Sequence, residues 1–402
     1  MIESKPRLLV LASTYPRWPG DPEPGFVHEL SKRLTREFDV HVICPHALDA
    51  RSSEFMDEVR IHRFRYAPAA LETLVQGGGI VSNLQHHPWK WLLVPLFLLG
   101  LAWQSARLIA RLKPDCLHVH WIVPQGLALL LSSLFVRTLP PFLLTSHGGD
   151  LFGLRGVLAS KLKRWVIRNA DTMSVVSRPM VAPALALGAT PARLTVIPMG
   201  VDFDERFCPD DRVVRNPEEI LFVGRLVEKK GLKHLIAALP AILSIRPQAK
   251  LTIVGYGPEE AALRTRAAEL GVGNSVVFSG AMPQSELPEL YRRASVFVAP
   301  FVRAASGDQD GLPVALMEAI ACGCPVVVGD LPAMDDLFNP DEADMRIDPN
   351  NHNALTERII AALADQETAR ARANRLRDRL AERLNWTTIS GQYAALLRGI
   401  MT

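Results

Sequence analysis

The stretch ILFVGRLVEKKGLKHLI, residues 220–236, contains a strand, a loop and a helix in succession. A short apolar run ends at Gly224, the polar loop carries Arg225 and Lys230, and an amphipathic pattern of helical period follows. A buried strand that leads through a loop into a helix is the first part of a βαβ unit, from which parallel sheets are built. The stretch therefore predicts an α/β domain.

The same alternation of short apolar runs and helical patterns covers most of the chain. Residues 203–217 break it, because they mix charges and prolines without an apolar period. We therefore predict two doubly wound α/β domains, residues 1–203 and 217–375, joined by a linker and facing a central cleft. Ligands of such sheets bind beyond the carboxyl ends of the strands. The apolar runs are RLLVLAS, DVHVICP, CLHVHW and FLLTSH in the first domain, and EILFVG, KLTIVG, SVVFSG, VFVAPF and PVVVGD in the second.

The composition argues against several classes of function. With 402 residues, 48% of them hydrophobic, the chain can bury two cores. Lys and Arg number 45 against 42 Asp and Glu, a balance that gives no support to a nucleic-acid-binding surface. Five scattered cysteines without a CxxC pair indicate neither a disulfide framework nor a zinc site. The N-terminal sequence lacks the pattern of a signal peptide, so a cytoplasmic protein is expected.

A second decisive stretch is DGLPVALMEAIACGCPVV, residues 310–327. Pro313 can open a helix without losing a needed N–H, so a helix is predicted to start just after Gly311. The free N–H groups and the positive dipole end of such a helix can bind an anion such as a diphosphate. The predicted contacts are Gly311, Leu312, Val314 and Ala315.

Two acids accompany this helix. Asp310 precedes it and Glu318 lies within it, which predicts two carboxylates about two turns apart on one face. One would meet the sugar end of a ligand and the other its ribose end. For the acids alone, an ordinary helix whose dipole favours an acidic N-terminus is an equally good explanation.

Two cations follow the strand that ends at Gly224. The guanidinium of Arg225 can hold a phosphate in a fork, and Lys230 supplies a point charge. Together they would neutralise a departing diphosphate without a metal ion. Lys229 is interpreted as a solvated neighbour. Gly257 and Gly25 belong to weaker glycine patterns, in which the backbone can approach a phosphate closely.

Histidines follow two strands of the first domain. His147 comes after a strand in FLLTSHGGDLF and is predicted to donate to, or position, a sugar hydroxyl, while Asp150 would cap the next segment. For His120 a structural role and a functional role are both open. His118 and His120 alternate along one strand, but no carboxylate or cysteine completes a ligand set, so no metal site is predicted.

In their order and spacing, these motifs resemble those of the retaining family-4 glycosyltransferases, which have the GT-B architecture of two Rossmann-like domains. The resemblance covers nearly the whole chain. One departure is that the family usually has glutamate where this chain has Asp310, so the carboxylate is shorter by one methylene, and Asp308 nearby could compensate. The motifs are GRLVEKKG, VGYGPE, the acid-x7-acid stretch from Asp310 to Glu318, SHGGD, and IPMGVD before the linker.

The resemblance implies roles for single residues. Arg225 and Lys230 would bind the diphosphate, and Glu318 the ribose hydroxyls. The backbone at Met282 and Pro283 would contact the base. The first domain would bind the acceptor and the second the nucleotide sugar, and residues 376–402 would form a helix that crosses back to the first domain.

His147 would contact the donor sugar, which completes a predicted catalytic set of Arg225, Lys230, Asp310 and His147, with Gly224 beside it.

The expected function is metal-independent transfer of a sugar from a UDP- or GDP-sugar to a glycan or polyprenyl-linked acceptor in surface polysaccharide synthesis, with no further cofactor. Two alternatives stay open. One is a nucleotide-sugar epimerase or phosphorylase of the same fold, and the other is a non-catalytic nucleotide-sugar-binding protein.

The apolar segment WKWLLVPLFLLGLAW, residues 89–103, also has two interpretations. It is shorter than the roughly 20 residues that span a bilayer, so it is not expected to cross one. It is either a buried helix of the first domain or an interfacial helix, with tryptophans at both ends, on the inner face of the cytoplasmic membrane.

Overall fold

A computed structural model describes residues 5–77 and 79–401. The chain divides into two compact units, which we call unit 1 and unit 2. Unit 1 contains Met1–Gly200 and Trp386–Thr402, and unit 2 contains Val201–Asn385. The predicted domains also include residues 1–4, 78 and 402, which lie outside the described residues.

Unit 1 is built on an eight-stranded sheet with the order β3-β4-β2-β1-β5-β6-β7-β8. Its strands are β1 (Arg7–Leu11), β2 (Asp39–Pro45), β3 (Ser53–Met56), β4 (Val59–Phe64), β5 (Cys116–His120), β6 (Phe142–Ser146), β7 (Thr172–Val175) and β8 (Leu194–Val196). Neighbouring strands are parallel except for the β3–β4 pair. The helices are α1 (Phe26–Leu34), α2 (Ile80–His86), α3 (Leu93–Leu112), α4 (Leu127–Ser132), α5 (Val157–Asn169) and α6 (Val181–Ala186).

Unit 2 has a six-stranded, fully parallel sheet with the order β11-β10-β9-β12-β13-β14. Its strands are β9 (Asn216–Val223), β10 (Lys250–Val254), β11 (Val276–Gly280), β12 (Ala294–Ala299), β13 (Val326–Gly329) and β14 (Arg346–Ile347). The helices are α7 (Leu232–Ile245), α8 (Glu260–Glu269), α9 (Leu287–Arg293), α10 (Val314–Ala321), α11 (His352–Ala364) and α12 (Gln366–Leu384), and α13 (Trp386–Gly399) returns to unit 1. The prediction of two doubly wound α/β domains is confirmed.

Each sheet has one point at which the strand order reverses. In unit 1 this point lies between β1 and β5, and in unit 2 it lies between β9 and β12. The loops that leave the carboxyl ends of such neighbouring strands diverge to opposite faces of the sheet and open a crevice. The loops after β1, β5, β9 and β12 are therefore the places where ligands are expected.

The predicted linker over residues 203–217 is wrong, because this segment belongs to unit 2. Phe203 and Phe207 are buried, and the guanidinium of Arg292 donates hydrogen bonds to the carbonyl oxygens of Arg206 and Cys208. The segment has no apolar period because it is irregular chain that is fixed by isolated aromatic side chains and backbone contacts.

The C-terminal tail returns to unit 1 later than predicted. The helix α12 stays in unit 2, where Leu376, Leu380 and Leu384 are buried, and the change of unit occurs after Asn385 rather than at residue 376. In unit 1, α13 packs against α1, and the Tyr393 hydroxyl donates a hydrogen bond of 3.1 Å to the carbonyl oxygen of Ile197.

The apolar segment near Trp103 is longer than predicted. The helix α3 continues to Leu112, and a 3₁₀ turn over Pro88–Leu92 precedes it. Within the described part of the chain, Pro88–Leu112 is the stretch that is long and apolar enough to cross a membrane, and 44% of its most apolar window is buried inside unit 1. The expectation that it is too short was therefore wrong, because the helix extends past the apolar run.

Candidate functional site

The loop after β9 carries two lysines to the switch point of unit 2. A 3₁₀ turn over Glu228–Lys230 ends at Gly231, whose φ of 68° lies in the left-handed region. A Cβ atom at Gly231 would lie 1.8 Å from the carbonyl oxygen of Pro300. Only glycine allows this approach, which presses the β9 loop against the loop after β12.

Two lysines and two aspartates meet where these loops touch. Lys230 Nζ lies 2.7 Å from Asp310 Oδ2, and Lys229 Nζ lies 3.3 Å from Asp310 Oδ1. Lys229 Nζ is also 3.1 Å from Asp308 Oδ2. These four residues form the lysine–aspartate cluster. Their side chains are between 10% and 20% exposed, so the interpretation of Lys229 as a solvated neighbour was wrong.

The charges of the cluster are coupled to one another. Burial acts to raise the pKa of Asp310, but Lys230 and Lys229 outweigh it and hold that pKa below its usual range. Burial lowers the pKa of Lys230, whereas Asp310 and Asp308 overcome burial at Lys229 and raise its pKa. The charge of Arg225 acts on both lysines. Two lysines and the charge of Arg225 therefore act at one place, where they attract an anionic ligand.

The helix α10 begins beside this cluster, with Pro313 as its N-cap. Asp310 lies in the preceding loop, so the prediction that Asp310 and Glu318 are two turns apart on one helix face is wrong. Because Pro313 precedes the first helical residue, the helix starts at Val314, four residues after Asp310. The first N–H groups of a helix have no intrahelical partner. The predicted phosphate contacts lie together at this start: Gly311, Leu312, Val314 and Ala315.

Glu318 is buried within α10 and is held by two hydrogen bonds. Gln284 Nε2 donates to Oε1 at 2.9 Å, and the Tyr291 hydroxyl donates to Oε2 at 3.1 Å. Gln284 directly follows Met282 and Pro283 in the loop after β11. The structure thus brings together the predicted contacts for ribose and base. Sequence reasoning missed Gln284 and Tyr291, although the position of Gln284 next to Pro283 was a usable signal.

The glycine loops of unit 2 serve close backbone packing. Gly224 directly follows β9 and donates its N–H to the carbonyl oxygen of Val254 at 2.9 Å. A Cβ atom at Gly257 would lie 2.4 Å from the carbonyl oxygen of Leu226. The glycine at 257 is therefore required by the contact between the loops after β9 and β10.

In unit 1, two histidines meet beyond the ends of β5 and β6. His120 ends β5 and His147 follows β6. His120 Nδ1 lies 2.9 Å from His147 Nε2, and the two rings are nearly parallel, with centroids 5.2 Å apart. Trp121 and Phe26 flank His147 at centroid distances of 4.8 Å and 5.1 Å. Gly25, the N-cap of α1, precedes Phe26 and so lies in the same region.

These histidines are neutral at pH 7. Burial lowers the pKa of His147 to about 3, and burial together with the neighbouring rings of His118 and His147 holds the pKa of His120 well below its usual range. His118 Nε2 lies 2.8 Å from Thr145 Oγ1, and burial lowers its pKa to about 3. Across residues 5–77 and 79–401, no group of three or more His, Cys, Asp or Glu side chains is arranged to hold a metal ion.

Asp150 joins the two loops instead of capping the segment that follows it. Its Oδ2 accepts the N–H of Ile122 at 2.7 Å, at the start of the turn Ile122–Gly126, and its Oδ1 accepts the Ser146 hydroxyl at 2.8 Å. The expected cap is therefore wrong in direction, because the carboxylate reaches back to an earlier loop. It fixes the loop after β5 beside His147.

Two family models match the chain in succession. Glycosyltransferase Family 4 matches residues 26–205, and Glycosyl transferases group 1 matches residues 208–379. The first model corresponds to most of unit 1 and the second to most of unit 2.

Curated relatives match about two thirds of the chain. The GDP-mannose-dependent alpha-(1-6)-phosphatidylinositol monomannoside mannosyltransferase of Mycolicibacterium smegmatis is 32% identical over 63% of this chain and 69% of its own length. The putative colanic acid biosynthesis glycosyltransferase WcaL of Salmonella typhimurium is 30% identical over 63% of each.

Solved structures match nearly the whole chain. Sucrose-phosphate synthase from Thermosynechococcus elongatus superposes with a TM-score of 0.79 at 20% identity, covering 98% of this chain and 99% of that one. Anabaena HepE, solved in complex with UDP-glucose, gives a TM-score of 0.72 at 17% identity, with 98% and 100% covered. These matches confirm the GT-B fold class. Together with the family models and the sequence relatives, they establish that the chain belongs to the family-4 glycosyltransferases.

Proposed function

We propose that this chain transfers a hexosyl group from a nucleotide-diphosphate sugar, with retention of configuration and without a metal ion. The acceptor is a glycan or a polyprenyl-linked glycan in surface polysaccharide synthesis. The observation that carries the proposal is the lysine–aspartate cluster, which places Lys230 at the switch point of unit 2 beside the start of α10. It is supported by a GDP-mannose-dependent relative, by WcaL, and by HepE, which was solved with UDP-glucose.

In this proposal, Lys230 changes its ionic partner from Asp310 to the diphosphate of the donor. Its counter-ion in the cluster is Asp310, at 2.7 Å, and its Nζ also lies 5.0 Å from the ring centroid of Phe301. A bound diphosphate competes with Asp310 for this cation. As the glycosidic bond breaks, negative charge grows on the leaving phosphate, and Lys230, Arg225 and the first N–H groups of α10 stabilise it.

No protein nucleophile is needed for this step. The sugar–phosphate bond breaks while the acceptor oxygen attacks the same face of the anomeric carbon, and a β-phosphate oxygen takes the proton of the acceptor hydroxyl. The products are the glycosylated acceptor and a nucleoside diphosphate. Asp310, whose two oxygens both face lysines, pairs with Lys230 until the diphosphate takes its place, and its carboxylate then meets the donor sugar. No cofactor beyond the donor is required.

The other predicted contacts are assigned to the nucleoside. Glu318, whose carboxylate accepts hydrogen bonds from Gln284 and Tyr291, also accepts hydrogen bonds from the ribose hydroxyls. The backbone at Met282 and Pro283 contacts the base. In unit 1, which binds the acceptor, neutral His147 donates to a sugar hydroxyl.

Nucleoside diphosphate release from a panel of UDP-glucose, GDP-mannose and ADP-glucose tests this proposal. At least one donor is expected to be cleaved, and proton NMR of the released or transferred sugar should show the anomeric configuration of the donor. Conversion of the sugar without release would indicate an epimerase, and cleavage that requires phosphate would indicate a phosphorylase. Tight binding without any cleavage would indicate a non-catalytic binding protein. Each of these three outcomes contradicts the proposal.

We further propose that unit 1 docks on the inner face of the cytoplasmic membrane through α3. One face of this helix is buried through residues such as Phe97 and Leu101. The opposite face is apolar but exposed, with Leu99 57% and Trp103 59% accessible. Trp103 packs edge to face on exposed Phe135, so the apolar surface continues onto the loop after α4. A large exposed apolar surface marks a binding or membrane-contact site.

The charge distribution favours an anionic lipid surface. Residues 73–201 contain twelve Lys and Arg but only three Asp and Glu, whereas the whole chain carries a formal charge of only +3. Helix α5 combines both features: Val157 and Leu158 are exposed, and Arg164 and Arg168 lie on its surface. Cations near an anionic leaflet each contribute about 1 kcal/mol of attraction.

Vesicle flotation tests the membrane proposal. Wild-type protein should float with phosphatidylglycerol vesicles and much less with phosphatidylcholine vesicles, and the double substitution Leu96→Glu and Leu99→Glu should abolish flotation. Ile245→Glu is the matched control, because Ile245 is an exposed apolar residue at the end of a helix in unit 2. Equal flotation of the double variant and the control would contradict docking through α3.

A further inference from the structure

We propose that His120 is a positioning residue that fixes the tautomer of His147. His120 Nδ1–H donates to His147 Nε2, so His147 carries its proton on Nδ1. The tautomer itself does not depend on the proposed function. Its catalytic consequence rests on the proposed contact between His147 and a sugar hydroxyl.

His120 Nδ1 and His147 Nε2 share one hydrogen bond, and only one of them can be its donor. They lie 2.9 Å apart, and the ring planes are within 19° of parallel with centroids 5.2 Å apart, so the two rings meet edge to edge. Both imidazoles are neutral, so each ring has one N–H and one lone pair. Either His120 Nδ1–H donates to His147, or His147 Nε2–H donates to His120.

The opposite nitrogen of His120 decides between these arrangements. His120 is fully buried, and its Nε2 has no hydrogen-bond partner among the described residues. If His147 were the donor, His120 would have to carry its proton on this Nε2 and would bury an unpaired N–H. Orphaned buried N–H groups are rarer in proteins than orphaned acceptors. The arrangement with His120 as donor leaves only an unpaired lone pair there.

His147 then presents a fixed donor. The ring is half-buried, and no protein partner for its Nδ1 occurs in the described part of the chain. Trp121 and Phe26 hold the ring from two sides. With the proton on Nδ1, His147 donates to a hydroxyl oxygen and cannot accept from a hydroxyl group. His120 thereby determines which hydrogen bond the substrate must make.

The tautomer can be measured directly in the ligand-free protein. In protein labelled with ¹⁵N-histidine, the His147 signals, assigned by their loss in His147→Gln, should show a protonated Nδ1 and an unprotonated Nε2. In His120→Leu, which has no donor, the His147 signals should move toward the Nε2-protonated form. A wild-type His147 protonated on Nε2, or a spectrum unchanged by His120→Leu, would overturn the proposal.

Activity separates positioning from packing. His120→Leu should lower kcat/KM by about ten- to a hundredfold, as loss of an orienting partner of a functional histidine typically does. His120→Asn keeps an N–H donor near the position of Nδ1 and should restore most of the activity. If the two variants are equally impaired and equally folded by thermal unfolding, the positioning role is contradicted.

A second histidine pair provides the matched control. His41 Nδ1 lies 3.0 Å from His62 Nε2, and these rings are also nearly parallel, with centroids 5.4 Å apart. They belong to β2 and β4, at a distance along the chain from the loops that hold His147. His41→Leu should leave kcat/KM within about twofold of the wild type after correction for folded protein. If no donor is cleaved but the His147 tautomer is as proposed, the proposed function fails and the tautomer assignment stands.

Discussion

The candidate sites of the two units hold their polar side chains in opposite charge states. In unit 2, buried Lys229 and half-buried Lys230 keep their charge because carboxylates lie within 3.3 Å of each Nζ. In unit 1, His120 and His147 bond to each other and stay neutral. Both groups follow strands of a doubly wound parallel sheet. The same fold position can therefore present charged groups, which suit a diphosphate, or fixed neutral donors, which suit sugar hydroxyls.

The largest effect should follow removal of the cation that stabilises the leaving group. Lys230→Ala is expected to lower kcat by about two to three powers of ten, because such a contact supplies about 3 to 4 kcal/mol in the transition state. Nucleoside diphosphate release measures the effect. Lys233→Ala, an exposed lysine on α7, is the matched control and should be close to wild type. A Lys230→Ala enzyme as fast as this control would remove Lys230 from the site.

The burial of Lys229 predicts a stability effect. Lys229→Met removes the cation that faces Asp308 and Asp310, and breaking a buried ion pair from one side costs about 3 kcal/mol. The free energy of unfolding in urea should fall by about that amount. Lys233→Met should leave it nearly unchanged. Equal stability of the two variants would show that Lys229 is solvated.

Glu318 should affect donor affinity more than turnover. Glu318→Gln replaces a charged acceptor, and a hydrogen bond to a charged group is worth about 1.5 to 3 kcal/mol. The KM for the donor is expected to rise about ten- to a hundredfold with a smaller change in kcat. A 2′-deoxyribose donor, which has already lost one ribose hydroxyl, should lose less affinity in the variant than the natural donor. An equal loss for both donors would argue against a contact with that hydroxyl.

Acid should act on the two regions in different pH windows. His118 and His147 have pKa values near 3 in the folded protein, against an ordinary value of 6.5. The unfolded chain therefore binds more protons between these values, so the contribution of each histidine to stability is complete above pH 6.5 and is lost as the pH falls toward about 3. The pKa of Asp310 is lowered, so its contribution is complete above its ordinary value of 3.8 and falls only below it.

A comparison of His118→Gln with the wild type measures the pH-dependent contribution of His118 to stability. Between about pH 6 and pH 4, the wild type should lose up to about 1.4 kcal/mol per pH unit more than the variant, which cannot take up this proton. Urea unfolding at several pH values measures the difference. Parallel stability profiles would mean that His118 is not buried as a neutral group.

The sequence was sufficient for features that depend on neighbouring residues. The apolar runs marked most strands, and the loop from Gly224 to Lys230 was placed correctly at the end of β9. Prediction from the sequence failed where the environment of a residue depends on residues that are distant along the chain. The burial of Lys229 requires Asp308 and the close approach of Gly231 to Pro300, neither of which is visible in a local pattern.

Other misses have equally specific causes. The short strands β3, β7 and β8 give too few apolar residues for a period to be seen. Gln284 and Tyr291 became visible only when the fold brought them to Glu318. The change of unit at Asn385 follows from the buried leucines of α12, whose spacing could have extended the predicted domain to Leu384.

The central claim is that protein cations, and no metal ion, stabilise the departing diphosphate. The most direct test is the rate of nucleoside diphosphate release, from whichever of UDP-glucose, GDP-mannose and ADP-glucose is cleaved fastest, with and without an excess of chelator. Equal rates are expected under both conditions, with no recovery of Lys230→Ala on addition of Mg²⁺ or Mn²⁺. A rate that falls to background in chelator and returns with a divalent cation would contradict it.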